Sequence, residues 1–444
     1  MRFGAREAAA AIGAAVVGPD VEIDGVSFDS RSVAAGQLFV PIVAERDGHE
    51  FIAAARSRGA AAYLTAGLPE GGTALLVDDT LDALMRLGAW GRERWGSANP
   101  ARRVIGITGS VGKTSTKDLA AAALAGSAPT WANERSFNND QGLPTTILNA
   151  PDHTAVMILE MGMRGFGEIA RLCSIGRPHV GVVTRVAGAH TERVGDIAGV
   201  ARAKGELIES LPSDGIAILN GDDELVREMA RRAPGRAVFY GTMPDCEVRI
   251  GDVTLDAMAR PAFALHTPWG DFDVPLAVSG AHMASNAAAA LACVGVLDLD
   301  VAAGVDALRS ARLTAMRMDV RRLATGAVLI DDSYNANPVS MRAAIDALVE
   351  LPARRRVALL GLMAELAKPA EQHALIAAYA AERDVELIAV GTDLYRRARA
   401  DDPLAALGSL SGDDAVLVKG SRAAGVERLV VAIVERDGVA LDEE

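Results

Sequence analysis

The residues able to do chemistry gather in one stretch of the chain. Val104-Ile105-Gly106-Ile107-Thr108-Gly109-Ser110-Val111-Gly112-Lys113-Thr114-Ser115-Thr116-Lys117 reads as a strand, a glycine-containing turn and the start of a helix. Glycines let backbone N–H groups approach phosphate oxygens, and a helix N-terminus adds positive potential. An ammonium at Lys113 neutralises β/γ charge, and the Thr114 hydroxyl is placed to ligate magnesium. The run departs from GxxxxGK[ST]: Ile107 occupies the position five before Gly112, and the glycines spell GxxGKT. In its strand-and-helix setting it still reads as a nucleoside triphosphate site, with Gly109, Ser110, Val111, Gly112, Lys113, Thr114 and Ser115 around the phosphates. Further on, Ile158-Leu159-Glu160-Met161-Gly162 ends a strand, so Glu160 should reach the C-terminal sheet edge where α/β proteins bind ligands. There it is a magnesium ligand or, alternatively, a surface acid. The strand ending in Thr184-Arg185-Val186-Ala187-Gly188-Ala189-His190 brings His190 to the same edge, as a second metal ligand or a structural histidine.

Lysine usage points the same way. Of 45 Lys and Arg residues only five are lysine: Lys113, Lys117, Lys204, Lys368 and Lys419. A chain that meets ordinary charge needs with arginine is expected to keep lysine where a compact ammonium or a reactive amine is required, chance retention being the alternative.

Positioning these groups takes a layered α/β scaffold. Runs at Val104–Thr108, Val156–Met161, Val180–Thr184 and Ile216–Asn220 alternate with helical segments, the pattern of a mostly parallel sheet covered on both faces. Before it, short alternating runs (Val21–Ser27, Gln37–Val43) and a helix over Phe51–Arg58 make a small α/β unit. A helical stretch Leu81–Trp95 then leads through Gly96-Ser97-Ala98-Asn99-Pro100, which sets a boundary near residue 80. After helices at Ser285–Leu297 and up to about Leu308, strands at Val328–Asp331, Val357–Gly361, Leu387–Gly391 and Ala415–Val418 predict a second doubly wound sheet. The expectation is an α/β protein of three domains, 1–80, 81–312 and 313–444, consistent with 444 residues at about 150 per domain.

Composition bounds the rest. With 50% hydrophobic and 23% charged residues the chain should fold throughout. A net charge of -13 argues against general nucleic-acid binding, so anionic ligands must be held by local sites. Cys173, Cys246 and Cys293 are odd in number and widely spaced, which fits neither a disulfide framework nor a zinc site. The N-terminal stretch lacks a basic-then-apolar signal pattern, and no run of about 18 apolar residues occurs. Neither secretion nor membrane insertion is expected, and a cytoplasmic monomer is.

Taken together, the motifs resemble those of the Mur ligases, over nearly the whole chain. Beyond the phosphate loop the distinctive pieces are Asn138-Asn139-Asp140-Gln141-Gly142-Leu143-Pro144, Glu160-Met161-Gly162-Met163, Ala189-His190, Ala203-Lys204-Gly205-Glu206, Asp331-Asp332-Ser333-Tyr334-Asn335-Ala336-Asn337-Pro338 and Lys419-Gly420-Ser421-Arg422. The Asn-Asn segment and the DDSYNANP run point to the member that adds D-alanyl-D-alanine to UDP-N-acetylmuramoyl-tripeptide. The rivals are a sibling that adds the third amino acid and a P-loop regulatory NTPase. The resemblance implies a small N-terminal domain for the UDP end, a central P-loop parallel-sheet ATPase and a C-terminal Rossmann-like domain that closes over the site. It implies ATP and two magnesium ions, held by Thr114, Glu160, His190 and a carbamylated Lys204, with Lys113, Lys204 and His190 catalytic. An unmodified surface lysine, or one paired with Glu206, is the alternative for Lys204. By the same matching Asn286, Arg317, Asp331, Asn335 and Asn337 contact ATP, Asn138 and Asn139 face the muramoyl-peptide, and Ser30 contacts the uracil or pyrophosphate. Lys419 and Arg422 bind the dipeptide carboxylate or ATP phosphates, or else form a plain surface ion pair. Arg185 stands where the family usually has asparagine, Met283 replaces a common asparagine, and Leu362-Met363-Ala364-Glu365-Leu366 lacks the usual aspartate before its methionine.

Overall fold

The computed structural model describes residues 1–134, 137–188 and 191–440, without the side chains of residues 191 and 192. At its centre lies a nine-stranded sheet. From one edge its strands are Thr130–Ala132, Val156–Glu160, Arg103–Thr108, Val180–Val183, Ile216–Asn220, Arg236–Gly241, Val248–Leu255, Pro261–Thr267 and Gly270–Pro275. The first seven are parallel. Their side chains alternate between two cores. Ile105, Ile107, Ile158, Val182 and Ile218 pack with the helices Lys113–Ala125 and Met283–Val296. Val104, Met157, Leu159, Val183 and Leu219 pack with the helices Gly142–Leu148, Glu168–Gly176 and Ile197–Glu209. Cover on both faces is why these strands read as unbroken apolar runs.

The sheet is mostly parallel, as expected, and carries an antiparallel far edge. There Pro261–Thr267 pairs antiparallel with both of its neighbours. Only two residues separate it from Gly270–Pro275, a connection that can join antiparallel strands but not parallel ones.

The C-terminal sheet runs Asp319–Arg322, Val328–Asp332, Asp414–Lys419, Arg355–Leu360 and Glu386–Ala389. It is parallel except for its first pair, an antiparallel edge strand on an otherwise doubly wound sheet. Its interior and that of the central sheet form one continuous apolar cluster, from Ile107 through Met283 and Met318 to Ile330.

In the N-terminal unit the expected strand Val21–Ser27 is divided at Gly25. Glu22–Asp24 pairs with Arg2–Gly4, whereas Val26–Ser27 joins a five-stranded sheet beside Leu38–Phe39. Leu38–Phe39 is all that becomes strand of the run Gln37–Val43. The five-stranded sheet packs on the central unit through a shared apolar cluster, Val26 and Leu38 with Leu143 and Leu148, and is clamped there by one polar side chain. Asn149 Oδ1 accepts from Val26 N at 2.7 Å, and its Nδ2 donates to Val26 O at 2.9 Å. Nearby, Phe28 packs on Phe137 with ring centroids 5.4 Å apart. Asn149→Ala leaves both polar groups of Val26 without this partner, at an expected cost of about 1–3 kcal/mol. The measurement is amide exchange at Val26 together with the unfolding temperature; unchanged exchange would show that the clamp contributes nothing.

Candidate active site

Arg103–Thr108 lies between Val156–Glu160 and Val180–Val183, so the loops leaving three adjacent parallel strands meet at one sheet edge. The phosphate loop is packed too closely there for side chains at its two glycines. Gly109 has φ 151° and Gly112 φ 87°. A Cβ on Gly109 would stand 1.9 Å from Thr184 Oγ1, and one on Gly112 2.8 Å from Asn286 Oδ1. Thr184 Oγ1 donates to Val111 O at 2.6 Å, and Ser110 N donates to Arg185 O at 2.6 Å. The departure at Arg185 therefore falls where the backbone makes the contact. Lys113 Nζ curls back to donate to Gly109 O at 2.8 Å. Burial lowers its pKa, Glu160 opposes that shift, and Arg317 adds to it.

Glu160 is only 1% exposed, which removes the surface-acid alternative. Its Oε2 accepts from Thr114 Oγ1 at 2.9 Å, its Oε1 from Asn138 Nδ2 at 2.6 Å, and its backbone N–H donates to Asn133 Oδ1 at 2.6 Å. From the C-terminal unit, Arg317 donates to Thr114 Oγ1 at 3.4 Å and lies over the Tyr334 ring at 4.2 Å. Its Nε is buried without an acceptor among the described residues, a donor left over for a ligand. Lys204 is 2% exposed on the inner face of its helix and has no hydrogen-bond or ion-pair partner among the described residues. The surface-lysine alternative fails, and so does pairing with Glu206, whose carboxylate accepts from Gly167 N and Ala170 N at the next helix. Burial, then the neighbouring Lys113 ammonium, push the Lys204 pKa well down. His190 lies outside the described residues.

The remaining candidates divide. Asn286 Oδ1 accepts from Thr116 Oγ1 at 3.3 Å, against the phosphate loop. Asp331 accepts from Ser333 N and Oγ, and burial raises its pKa. Asn335 Oδ1 accepts from Ala336 N, and Asn337 caps the helix Pro338–Glu350. Asn139 Oδ1 accepts from Gly142 N at the start of a helix, unlike its neighbour Asn138, which reaches Glu160. Ser30 sits half-buried in the turn that carries Phe28. Lys419 is not a surface ion pair. It is 1% exposed, and its ammonium donates to Asp332 Oδ2 at 2.5 Å, Asn335 O at 2.8 Å and Asp332 O at 3.4 Å. With three acceptors engaged, it holds the 332–335 loop from inside. Arg422 is exposed and pairs with Glu427 at 3.1 Å.

Two site residues escaped sequence reasoning. Thr184 and Asn133 each follow a parallel strand at its C-terminal end, and that position is the signal that could have found them. A cleft of about 950 Å³ lined by Arg92, Cys173, Arg177 and His179 lies at the opposite edge of the sheet, away from all of these groups.

Residues 107–294 match the Mur ligase middle domain, and residues 316–441 match the Mur ligase glutamate ligase domain. The chain belongs to the Mur ligase family. The UDP-N-acetylmuramoyl-tripeptide--D-alanyl-D-alanine ligase of Mycobacterium tuberculosis is 37% identical, over 83% of this chain and 77% of the relative. The enzyme of the same name from Escherichia coli is 35% identical, over 94% and 95%. Among solved structures, MurF from Acinetobacter baumannii superposes with a TM-score of 0.84 at 27% identity, covering 98% of this chain and 99% of that one. MurF ligase from Thermotoga maritima in complex with ADP gives 0.78 at 26%, covering 93% and 97%. No helix among the described residues of this Mur ligase is long and apolar enough to cross a membrane.

Two outcomes test this geometry. Gly109→Ala should abolish nucleotide binding by calorimetry while leaving amide exchange at Val26 in the N-terminal unit unchanged; retained affinity would refute the tight packing. Lys204→Met should raise stability by roughly 1–4 kcal/mol in carbonate-free buffer, the range seen when buried charge is replaced by apolar side chains of similar volume. A lysine whose folded pKa is depressed destabilises below that pKa, and the cost fades as pH rises toward the ordinary value of 10.5. The stability difference between Lys204→Met and the parent should therefore shrink with rising pH.

Proposed function

We propose that this Mur ligase joins D-alanyl-D-alanine to UDP-N-acetylmuramoyl-tripeptide with hydrolysis of ATP to ADP and phosphate, in the cytoplasm, as a step of peptidoglycan precursor synthesis. One observation carries the reading: a buried carboxylate, Glu160, bonded to the phosphate-loop threonine, with Arg317 of the C-terminal unit on that same hydroxyl. The central and C-terminal units both contribute from one polypeptide, which supports action as a monomer. In this reading residues 1–80 hold the UDP end, 81–312 hold ATP, and 313–444 close over both and bind the dipeptide.

A carboxylate is not attacked by amines, because oxide is too poor a leaving group. Transfer of the γ-phosphoryl group gives an acyl phosphate, the dipeptide amine adds to its carbonyl, and phosphate departs. Charge grows on phosphoryl oxygens in the first step and on the tetrahedral oxygen in the second, so fixed cations accelerate both. In this reading Lys113, held at Gly109 O, would turn to the β/γ-phosphates, and Arg317 supplies a second cation whose Nε has no acceptor among the described residues. Asn286, Asp331, Asn335 and Asn337 border the nucleotide, Asn138, Asn139 and Ser30 border the UDP-peptide, and exposed Arg422 is available to the dipeptide carboxylate.

A hydroxyl and a carboxylate 2.9 Å apart are hard oxygen donors suited to magnesium, so Thr114 and Glu160 fit that ion. Bound magnesium would offset charge on the transferring phosphoryl group. His190 and carbamylated Lys204 are the proposed ligands of a second ion. The burial of Lys204 with no partner among the described residues supports carbamylation, since an uncharged amine is the form that captures carbon dioxide.

With oxygen-18 in the tripeptide carboxyl, the label should appear in the released phosphate. Its absence would overturn the acyl-phosphate route. Lys204→Ala should lose activity and regain part of it with a short free carboxylate such as acetate, and failure of rescue would count against the carbamate.

A further inference from the structure

Of the five lysines, Lys113 and Lys204 belong to the nucleotide site, Lys419 holds the 332–335 loop, and Lys368 makes an exposed pair with Glu371. Lys117 has no part in the proposed chemistry, yet it is 3% exposed, one helical turn beyond Lys113. An ammonium is buried at a cost of several kcal/mol unless its charge is balanced and its donors are used. Its Nζ lies 2.8 Å from Asp118 Oδ1 and donates to Asn133 O at 2.7 Å.

Both partners lead somewhere. Asn133 Oδ1 accepts from Glu160 N at 2.6 Å, and its Nδ2 donates to Phe137 O, immediately before Asn138, whose Nδ2 reaches Glu160 Oε1 at 2.6 Å. Asp118 Oδ2 accepts from Thr314 N at 2.7 Å, three residues before Arg317. One buried ammonium thus bonds the residue whose side chain holds the Glu160 backbone and, at Phe137 O, the segment that brings Asn138 to the Glu160 carboxylate, and it pairs with the carboxylate that anchors the entry to the C-terminal unit. A compact ammonium with three rotatable donors and a planar guanidinium fork are not interchangeable at such a buried site.

We infer that Lys117 is a positioning residue: through Asn133 it sets where the Glu160 carboxylate stands against Thr114, and through Asp118 it ties that setting to the segment that delivers Arg317. This rests on the reading of Glu160 as a magnesium ligand, and the test separates the two. Full-length Lys117→Met, Asn133→Ala, their double variant, Glu160→Gln and the surface control Lys368→Ala are titrated with Mn2+ in the presence of ADP, with free ion followed by electron paramagnetic resonance. Amide exchange at Glu160 is measured on the same proteins without metal.

Lys117→Met and Asn133→Ala should each weaken Mn2+ binding about 10–100-fold, the usual consequence of removing a group that orients a ligand. The double variant should be no weaker than the worse single one, because both act along one chain of bonds. Exchange at Glu160 should accelerate in both single variants, and Lys368→Ala should match the parent. If Glu160→Gln weakens Mn2+ binding while Lys117→Met leaves both binding and Glu160 exchange unchanged, the positioning role is overturned and the metal reading stands. If Glu160→Gln binds Mn2+ like the parent, the metal reading itself fails. Should Lys117→Met not fold, Asn133→Ala decides by the same two readouts.

Discussion

A carboxylate inside a protein must have its oxygens met, and this requirement at Glu160 organises the centre of the molecule. Removing such a group from water costs several kcal/mol, and the return comes only from well-placed donors. Here the donors come from separate segments: Thr114 from the helix after the phosphate loop and Asn138 from the segment beyond Thr130–Ala132. Those segments meet because Val156–Glu160 is flanked in the sheet by Arg103–Thr108 and Thr130–Ala132. The parallel topology is thus the means by which one acidic side chain receives bonds from both neighbouring loops at the edge where anions bind.

Around Glu160 the charges are deliberately unbalanced. Lys113 and Arg317 approach this carboxylate and Lys204 approaches Lys113; burial lowers the pKa of both lysines, with Arg317 adding to the shift at Lys113 and Lys113 adding to that at Lys204. In a chain of net charge -13 this is a local positive socket. Its energy is recovered when phosphates enter, so the polypeptide carries the strain and the ligand relieves it. The unsatisfied Nε of Arg317 belongs to the same pattern.

The outer units are attached by specific polar contacts as well as by apolar packing. Asn149 clamps Val26 of the N-terminal sheet, and Asp118 holds Thr314 at the entry to the C-terminal unit. Both anchors lie on the central unit close to the site in sequence.

Much of this was legible in the sequence. Strand, glycine turn and helix around Lys113 are decided by neighbouring residues, since periodicity and glycine's access to positive φ are local properties. The expected strands of the central and C-terminal sheets appear within a few residues of where the pattern put them. The antiparallel edge at Pro261–Thr267 and the division at Gly25 did not show, because pairing partners are chosen by the whole sheet. The same distinction separates the site residues. Lys113, Thr114 and Glu160 stand at positions that local chemistry marks. The partners of Asn133, Thr184, Lys117 and Lys419, and the burial that turns Lys204 into a depressed amine, were settled only in three dimensions. Each depends on side chains meeting across strands whose order in the sheet is not their order in the chain.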